Sequence, residues 1–307
     1  MVTSMRIVSL VPHATELLFA LGLDENVVAV THECDYPAAA RKRVRITRDA
    51  LPAGLCAGEI DAAVRERTLA GQAIYELDRD ALAAAHPDLI VTQALCPVCA
   101  VSYDDVASIA RELPGRPRVI ALDPTTLPDT QADVRAVAAA TGREAQGERL
   151  VARTARRVER VRRAVAGLQR VRVLALEWLE PPFVAGHWTP QMIELAGGED
   201  VAGRPGEPSR TGDWTTLADA CADVAIVMPC GYDAPRAHAQ ALAHSDALAR
   251  LSVQRIVAVD ASAYFSRPGP RLIDGLELLA HILHRDAAPA PPPEARALDV
   301  ELVTTPG

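Results

Sequence analysis

An α/β fold of two lobes with mostly parallel sheets, joined by one long rigid helix, is what this sequence predicts, and three features carry the prediction. Short apolar, β-branched runs alternate with helix-patterned stretches along the chain, the order that a parallel sheet with helical crossovers requires. Several of these runs stop at cysteine, proline or aromatic residues, and in open α/β sheets ligands are met beyond the carboxyl ends of the strands. Between the two series of strands lies a proline-free stretch, 130–168, whose second part, 148–166, sets Val and Leu at helical spacing among many arginines.

The elements follow in order. Residues 5–11 read as a strand ending at Pro12-His13, and 14–21 as a helix with Leu17, Leu18 and Leu21 on one side, stopped by Gly22. A strand at 27–30 opens into the polar loop Thr31-His32-Glu33-Cys34-Asp35-Tyr36-Pro37, and the basic run 41–45 is expected to be a solvated turn. Helices at 60–68 and 80–85 lead to an apolar strand at 89–91, which runs straight into Cys96-Pro97-Val98-Cys99; a helix at 101–113 and a strand at 119–122 follow. The arginines of the 148–166 helix, Arg153, Arg156, Arg157, Arg160 and Arg163, are read as a solvated face. The second lobe repeats the alternation: strand 171–176, a loop rich in Pro and Trp, helix 191–196 with Thr189 as cap, strand 224–228, helix 235–248, strand 256–259 and helix 271–283. The domain expectation is therefore an α/β lobe at 1–129, a connecting helical segment at 130–169, a second α/β lobe at 170–285, and a disordered Pro-rich tail at 286–307. Both sets of strand ends are expected to face a shared cleft.

Composition narrows the function. A chain of 307 residues with 49% hydrophobic content buries a sizeable core, and a net charge of -8 supplies no footprint for nucleic acid. No apolar stretch approaches the roughly 20 residues of a membrane helix, so no membrane insertion is expected. The opening residues carry no signal-peptide pattern, which predicts a cytoplasmic protein whose six cysteines stay reduced.

Four cysteines, Cys34, Cys96, Cys99 and Cys230, each follow an expected strand, whereas Cys56 and Cys221 do not and read as inert. Thiolates are soft ligands, so the four suit zinc or an iron–sulfur cluster, with His32 as an imidazole alternative; Cys96-Cys99 can also be read as a redox dithiol. Aromatic residues make up only 4%, and all three tryptophans fall in the second half: Trp178 after a strand, Trp188 before a helix, and Trp214 in a loop. Large flat side chains at strand ends suit a planar or macrocyclic ligand, and Tyr36, Tyr103, Tyr232 and Tyr264 sit on corresponding loops. Glu16, one turn into the first helix, and Arg267, in a Pro-rich loop, complete the candidate ligand set. No nucleophile elbow, phosphate loop or zinc-protease motif is present, and no reaction is named.

Several motifs together resemble a known family. Ile7-Val8-Ser9-Leu10 with Thr15-Glu16 and Leu21-Gly22, the phrase His86-Pro87-Asp88-Leu89-Ile90-Val91, the long linking helix, and Ala196-Gly197-Gly198 with Trp214 resemble the class III substrate-binding proteins of ABC importers, most closely the cobalamin-binding branch. The resemblance covers residues 5–285. It implies two Rossmann-like lobes joined by a rigid helix, closing slightly over cobalamin or another metal chelate, without catalysis. The loop at His32-Glu33-Cys34-Asp35-Tyr36-Pro37, the Cys96–Cys99 pair and Met228-Pro229-Cys230-Gly231 resemble a cytoplasmic cysteine-containing subgroup, and the expected absence of an export signal argues against an importer partner. Two functions stand from the sequence: a corrinoid or metal-chelate binder, and a cytoplasmic metalloprotein, enzymatic or not, with a zinc or iron–sulfur centre.

Overall fold

The computed structural model describes residues 4–94 and 102–302. The chain divides into two compact units, Met1–Pro124 with Pro128–Ala152, and Thr125–Leu127 with Arg153–Gly307.

The first unit is built of β1 (Ile7–Ser9), α1 (Pro12–Ala20), β2 (Val27–Val30), β3 (Val44–Arg45), β4 (Thr47–Asp49), α2 (Ala57–Leu69), β5 (Tyr75–Leu77), α3 (Arg79–Ala84), β6 (Leu89–Gln93), α4 (Tyr103–Glu112) and β7 (Arg118–Leu122). Its main sheet runs β3-β2-β1-β6-β7 with every pairing parallel, and β1 registers on β6 as Ile7↔Leu89, Val8↔Ile90 and Ser9↔Val91. Successive side chains point to opposite faces, so Ile7, Leu89 and Val91 enter one core with Leu17 and Leu18 of α1, while Val8 and Ile90 enter another with Leu82, Val106 and Ile109. Burial on both faces is why these strands read as unbroken apolar runs. Pro12 starts α1, where its missing N–H costs nothing, and Gly22, at φ +74°, ends it in the left-handed region that other residues avoid.

The linking stretch holds two helices, α5 (Leu127–Thr141) and α6 (Glu144–Ala164), turned at Gly142 with φ +66°. A Cβ on Gly147 would come within 2.6 Å of the Ala138 Cβ, so glycine is what lets α6 press against α5. The arginine face of α6 is not wholly solvated as expected. Arg157 forks onto Glu277, with Nε 3.0 Å from Oε1 and Nη2 2.6 Å from Oε2, and also reaches Asp274 at 2.6 Å; Arg160 adds a 2.5 Å bond to the same Glu277 carboxylate.

The second unit contains β8 (Val171–Leu179), β9 (Pro182–Val184), α7 (Thr189–Leu195), β10 (Gly198–Asp200), β11 (Arg210–Thr211), α8 (Trp214–Asp219), β12 (Val224–Val227), α9 (Ala234–Ala243), α10 (Ser245–Ala249), β13 (Arg255–Val259), α11 (Ala261–Tyr264), α12 (Leu272–Leu283) and β14 (Ala297–Asp299). The sheet order is β11-β9-β8-β12-β13-β14, with β10 also on β8; β8, β10, β12 and β13 are parallel, and β9, β11 and β14 antiparallel. The fold is thus α/β with mostly parallel sheets, as the alternation of elements indicates.

Four local expectations are corrected. The tail is not disordered throughout: β14 pairs with β13 through Val257↔Asp299, Ala258↔Leu298 and Val259↔Ala297, and Val300 is buried. Its prolines precede the strand and leave the ladder N–H groups intact. Trp214 opens α8, capped by Asp213 accepting from the Thr216 N–H, and does not lie in a loop. Thr189 is not a cap but the first residue of α7, since the helical ladder begins with the Met192 N–H on the Trp188 carbonyl. The expected 235–248 helix is two, α9 and α10, parted at His244 with φ -111°.

Candidate functional site

In each unit the parallel strands deliver their carboxyl ends to one edge of the sheet. In the first unit that edge carries the loop after β2. Cys34 is fully buried there, with Sγ 3.0 Å from Thr15 Oγ1 and 3.1 Å from Thr31 Oγ1, so the thiol ties the loop to α1 within the core. His32 is fixed by Nδ1 at 2.7 Å from Thr47 Oγ1 and lies against the Tyr75 ring, whose hydroxyl donates to Glu33 at 3.2 Å. Glu16 is buried on α1, while Tyr36 and Tyr103 are exposed at 47% and 37%. Cys96 and Cys99 lie outside the described residues. Among the described residues no group of three or more His, Cys, Asp or Glu side chains is placed to hold a metal ion.

In the second unit the edge is richer. Trp178, half-buried at the end of β8, meets the Tyr232 ring edge-on at 5.5 Å, and its Nε1 donates to the Glu180 carbonyl at 3.1 Å. Tyr232 follows β12, and the exposed Arg236 of α9 lays its guanidinium 4.0 Å above the ring centre. The stack exists because Asp233 caps α9, accepting from the Arg236 N–H at 2.9 Å and setting Arg236 one turn along from Tyr232. Cys230 is exposed on the same turn, its N–H donating to the Glu177 carbonyl at 3.1 Å. Trp188 is buried, with Nε1 donating to the Phe265 carbonyl at 2.8 Å. Tyr264 is buried beneath Arg271, and burial pushes its hydroxyl up to about 12. Trp214 packs on the core of this unit, and Arg267 is partly buried beyond α11.

Three residues of this edge were not singled out in the sequence. Arg236 is one. Glu177 sits where the β8–β9 register shifts, a local break that re-aims a side chain. Its Oε2 accepts from Ser209 Oγ at 2.5 Å; burial pushes the carboxyl up to about 7, against the opposing bonds from Ser209 and the Gly186 N–H. The third is His187, half-buried with its ring 5.6 Å from that of Trp188, its imidazole pKa lowered by burial. A Gly-His-Trp run after a short apolar segment was the available signal, but β9 is three residues long and opens on Pro182, too short to mark the loop as a strand end.

Two α/β units with mostly parallel sheets, each carrying aromatic and ionisable side chains near its strand ends, define the class of fold. The sequence profile of the Periplasmic binding protein family matches residues 7–253, and the chain belongs to that family. Similar solved structures include the periplasmic vitamin B12 binding protein of Vibrio cholerae (20% identity, TM-score 0.66, covering 90% of this chain and 94% of that one) and a periplasmic heme binding protein from Pseudomonas aeruginosa (19%, TM-score 0.72, 98% and 99%). A periplasmic heme-binding protein from Roseiflexus sp. RS-1 is also similar (24%, TM-score 0.67, 92% and 99%). At these identities the likeness is one of fold. A vitamin B12-binding protein of Vibrio vulnificus is 45% identical over 42 residues, which span 14% of this chain and 15% of that relative.

The family corrects the expected compartment. Its solved members named above are periplasmic, which contradicts a cytoplasmic assignment. That assignment rested on the opening residues, and a leader peptide is removed on export, so they are a poor guide to compartment. No helix among the described residues is long and apolar enough to cross a membrane.

Proposed function

We propose that this protein binds a tetrapyrrole metal chelate of the cobalamin or heme type. The observation that carries the reading is the Trp178–Tyr232–Arg236 stack at the carboxyl edge of the second sheet. An exposed indole edge offers flat apolar area to a macrocycle, while a guanidinium above an aromatic ring is oriented to meet a carboxylate or phosphate on its periphery. The names of the similar proteins, for vitamin B12 and for heme, agree with a macrocyclic chelate as the ligand class. Cobalamin is the first candidate, because the short 45% identical stretch belongs to a B12-binding relative.

All three tryptophans lie in the second unit, so quenching of their fluorescence reports ligand arrival there. Titration with cyanocobalamin and with ferric protoporphyrin is expected to give saturable quenching with one of them. Trp178→Ala is expected to weaken that binding about tenfold, the loss of roughly 1.4 kcal/mol of aromatic contact. An unchanged affinity in Trp178→Ala would remove the stack from the site.

A further inference from the structure

The second unit holds a cavity at the edge of its sheet opposite the strand carboxyl ends. It lies where β13 begins, at Arg255, and where α12 ends, and its volume is about 970 Å³, the size of a small-molecule site. Apart from Val253, every lining residue lies beyond the stretch that the family profile matches. The chain's tail builds the outer wall. Ala287 and Ala288 donate their N–H groups to the His284 carbonyl at 3.0 and 2.8 Å, β14 pairs with β13, and the Val300 N–H donates to the Ile256 carbonyl at 2.9 Å. Between those ties Pro291, Pro292 and Pro293 line the cavity, and their fixed φ angles stiffen that wall.

The lining joins two chemistries. Ile256, Leu278, Ile282 and Val300 are buried and supply an apolar surface. Against it stand three arginines, Arg255, Arg285 and Arg296, and two carboxylates, Asp299 and Glu301, a balance of one positive charge. Arg255 is already engaged, its Nε 2.6 Å from Asp299 Oδ1 and its Nη1 donating to the Ile282 carbonyl at 3.1 Å. The other two are not. Among the described residues Arg296 donates only to the Pro293 carbonyl, at 3.3 Å, and Arg285 has no hydrogen-bond or ion-pair partner. His281, four residues before Arg285, lines the same cavity with its Nδ1 buried and unpartnered. Buried polar atoms are nearly always paired, so a sealed imidazole nitrogen beside two guanidiniums that lack a carboxylate marks a place for an anionic group.

We propose that this cavity is a second ligand site, for an apolar monocarboxylate. The aliphatic or aromatic body of the ligand lies on Ile256, Leu278, Ile282 and Val300, and its carboxylate meets Arg285 and Arg296, with the His281 imidazole as a third donor. A planar guanidinium matches a carboxylate with two parallel N–H bonds, and one carboxylate neutralises the one excess charge. The site lies at the opposite sheet edge from the Trp178–Tyr232–Arg236 stack and does not depend on the chelate reading.

The test is calorimetric titration of the full chain with decanoate and with 1-decanol, which has the same apolar body and no charge. Wild type is expected to bind one equivalent of decanoate, and to bind decanol about tenfold more weakly or worse. Arg285→Ala and Arg296→Ala are each expected to weaken decanoate about tenfold, the loss of a charge-assisted hydrogen bond. Both side chains are exposed and outside any ion pair, so the variants should melt with the wild type. Trp178→Ala is expected to bind decanoate as wild type does. No decanoate binding by wild type, equal affinity for decanol, or an unchanged affinity in the Arg285→Ala/Arg296→Ala double variant would overturn the site. Decanoate binding lost in Trp178→Ala and kept in the arginine variants would assign the acid to the other edge and overturn it equally. None of these results alters the chelate titrations, so the two readings fail separately.

Discussion

Glu177 shows how much one side chain's surroundings decide. At the β8–β9 register break its carboxyl is pushed up to about 7 by burial, with Ser209 and Gly186 opposing. A carboxyl raised above its unfolded value binds its proton more tightly in the folded protein, so that stabilisation is complete below pH 4.5 and is lost as the pH climbs to about 7. Melting curves of wild type and Glu177→Gln between pH 4.5 and 8 should therefore diverge: wild type should lose up to about 3 kcal/mol relative to the variant, whose amide does not titrate. A constant difference would contradict the assignment. Cys34, a candidate metal ligand by its position after β2, is buried with its thiol at hydrogen-bond distance from Thr15 and Thr31. Both partners are ordinary threonines in the sequence, and only the register of α1 against the loop brings them to one sulfur.

At the scale of elements, the parallel strands were legible because burial on both faces writes itself as consecutive β-branched residues; the 27–30 strand and the 89–91 run are the clearest cases. The short antiparallel pieces were not. β9, β11 and β14 are two or three residues each, and their pairing is supplied by a neighbouring strand and not by their own pattern. The arginines of α6 were legible as a basic face but not as a clamp, since Glu277 lies over a hundred positions away and is 2% exposed. Arg157 also meets Asp274, and its two carboxylate partners hold it strongly protonated. Removing Arg157 leaves a buried carboxylate with only Arg160, so Arg157→Ala should destabilise the protein by about 3 kcal/mol in denaturant titration. Arg163→Ala, whose partner Glu159 is exposed on the same helix, should change stability by less than about 0.5 kcal/mol. Equal effects would show that the Glu277 clamp is not specially stabilising.

For the whole molecule, two α/β units and the profile match over residues 7–253 make this chain a member of the Periplasmic binding protein family. The class was readable because it resides in element order and in loops such as Ala196-Gly197-Gly198, where Gly197 at φ +87° faces His284 too closely for any Cβ. The compartment was misread from the chain's opening residues. The proposed ligand class rests on aromatic and basic side chains at the carboxyl edge of the second sheet, of which Trp178 and Tyr232 were visible in the sequence while Arg236 and His187 emerged only from their placement. The most direct test of a single chelate site is a competition titration of the full chain: whichever of cyanocobalamin and ferric protoporphyrin gives saturable quenching is bound first, followed by its absorbance, and then challenged with cobinamide or, where the first ligand is the porphyrin, with a second metalloporphyrin. The account predicts one equivalent bound with a Kd of about 1 µM or tighter and complete displacement by the second macrocycle. Linear, non-saturating uptake, or two macrocycles bound at once without competition, would contradict it.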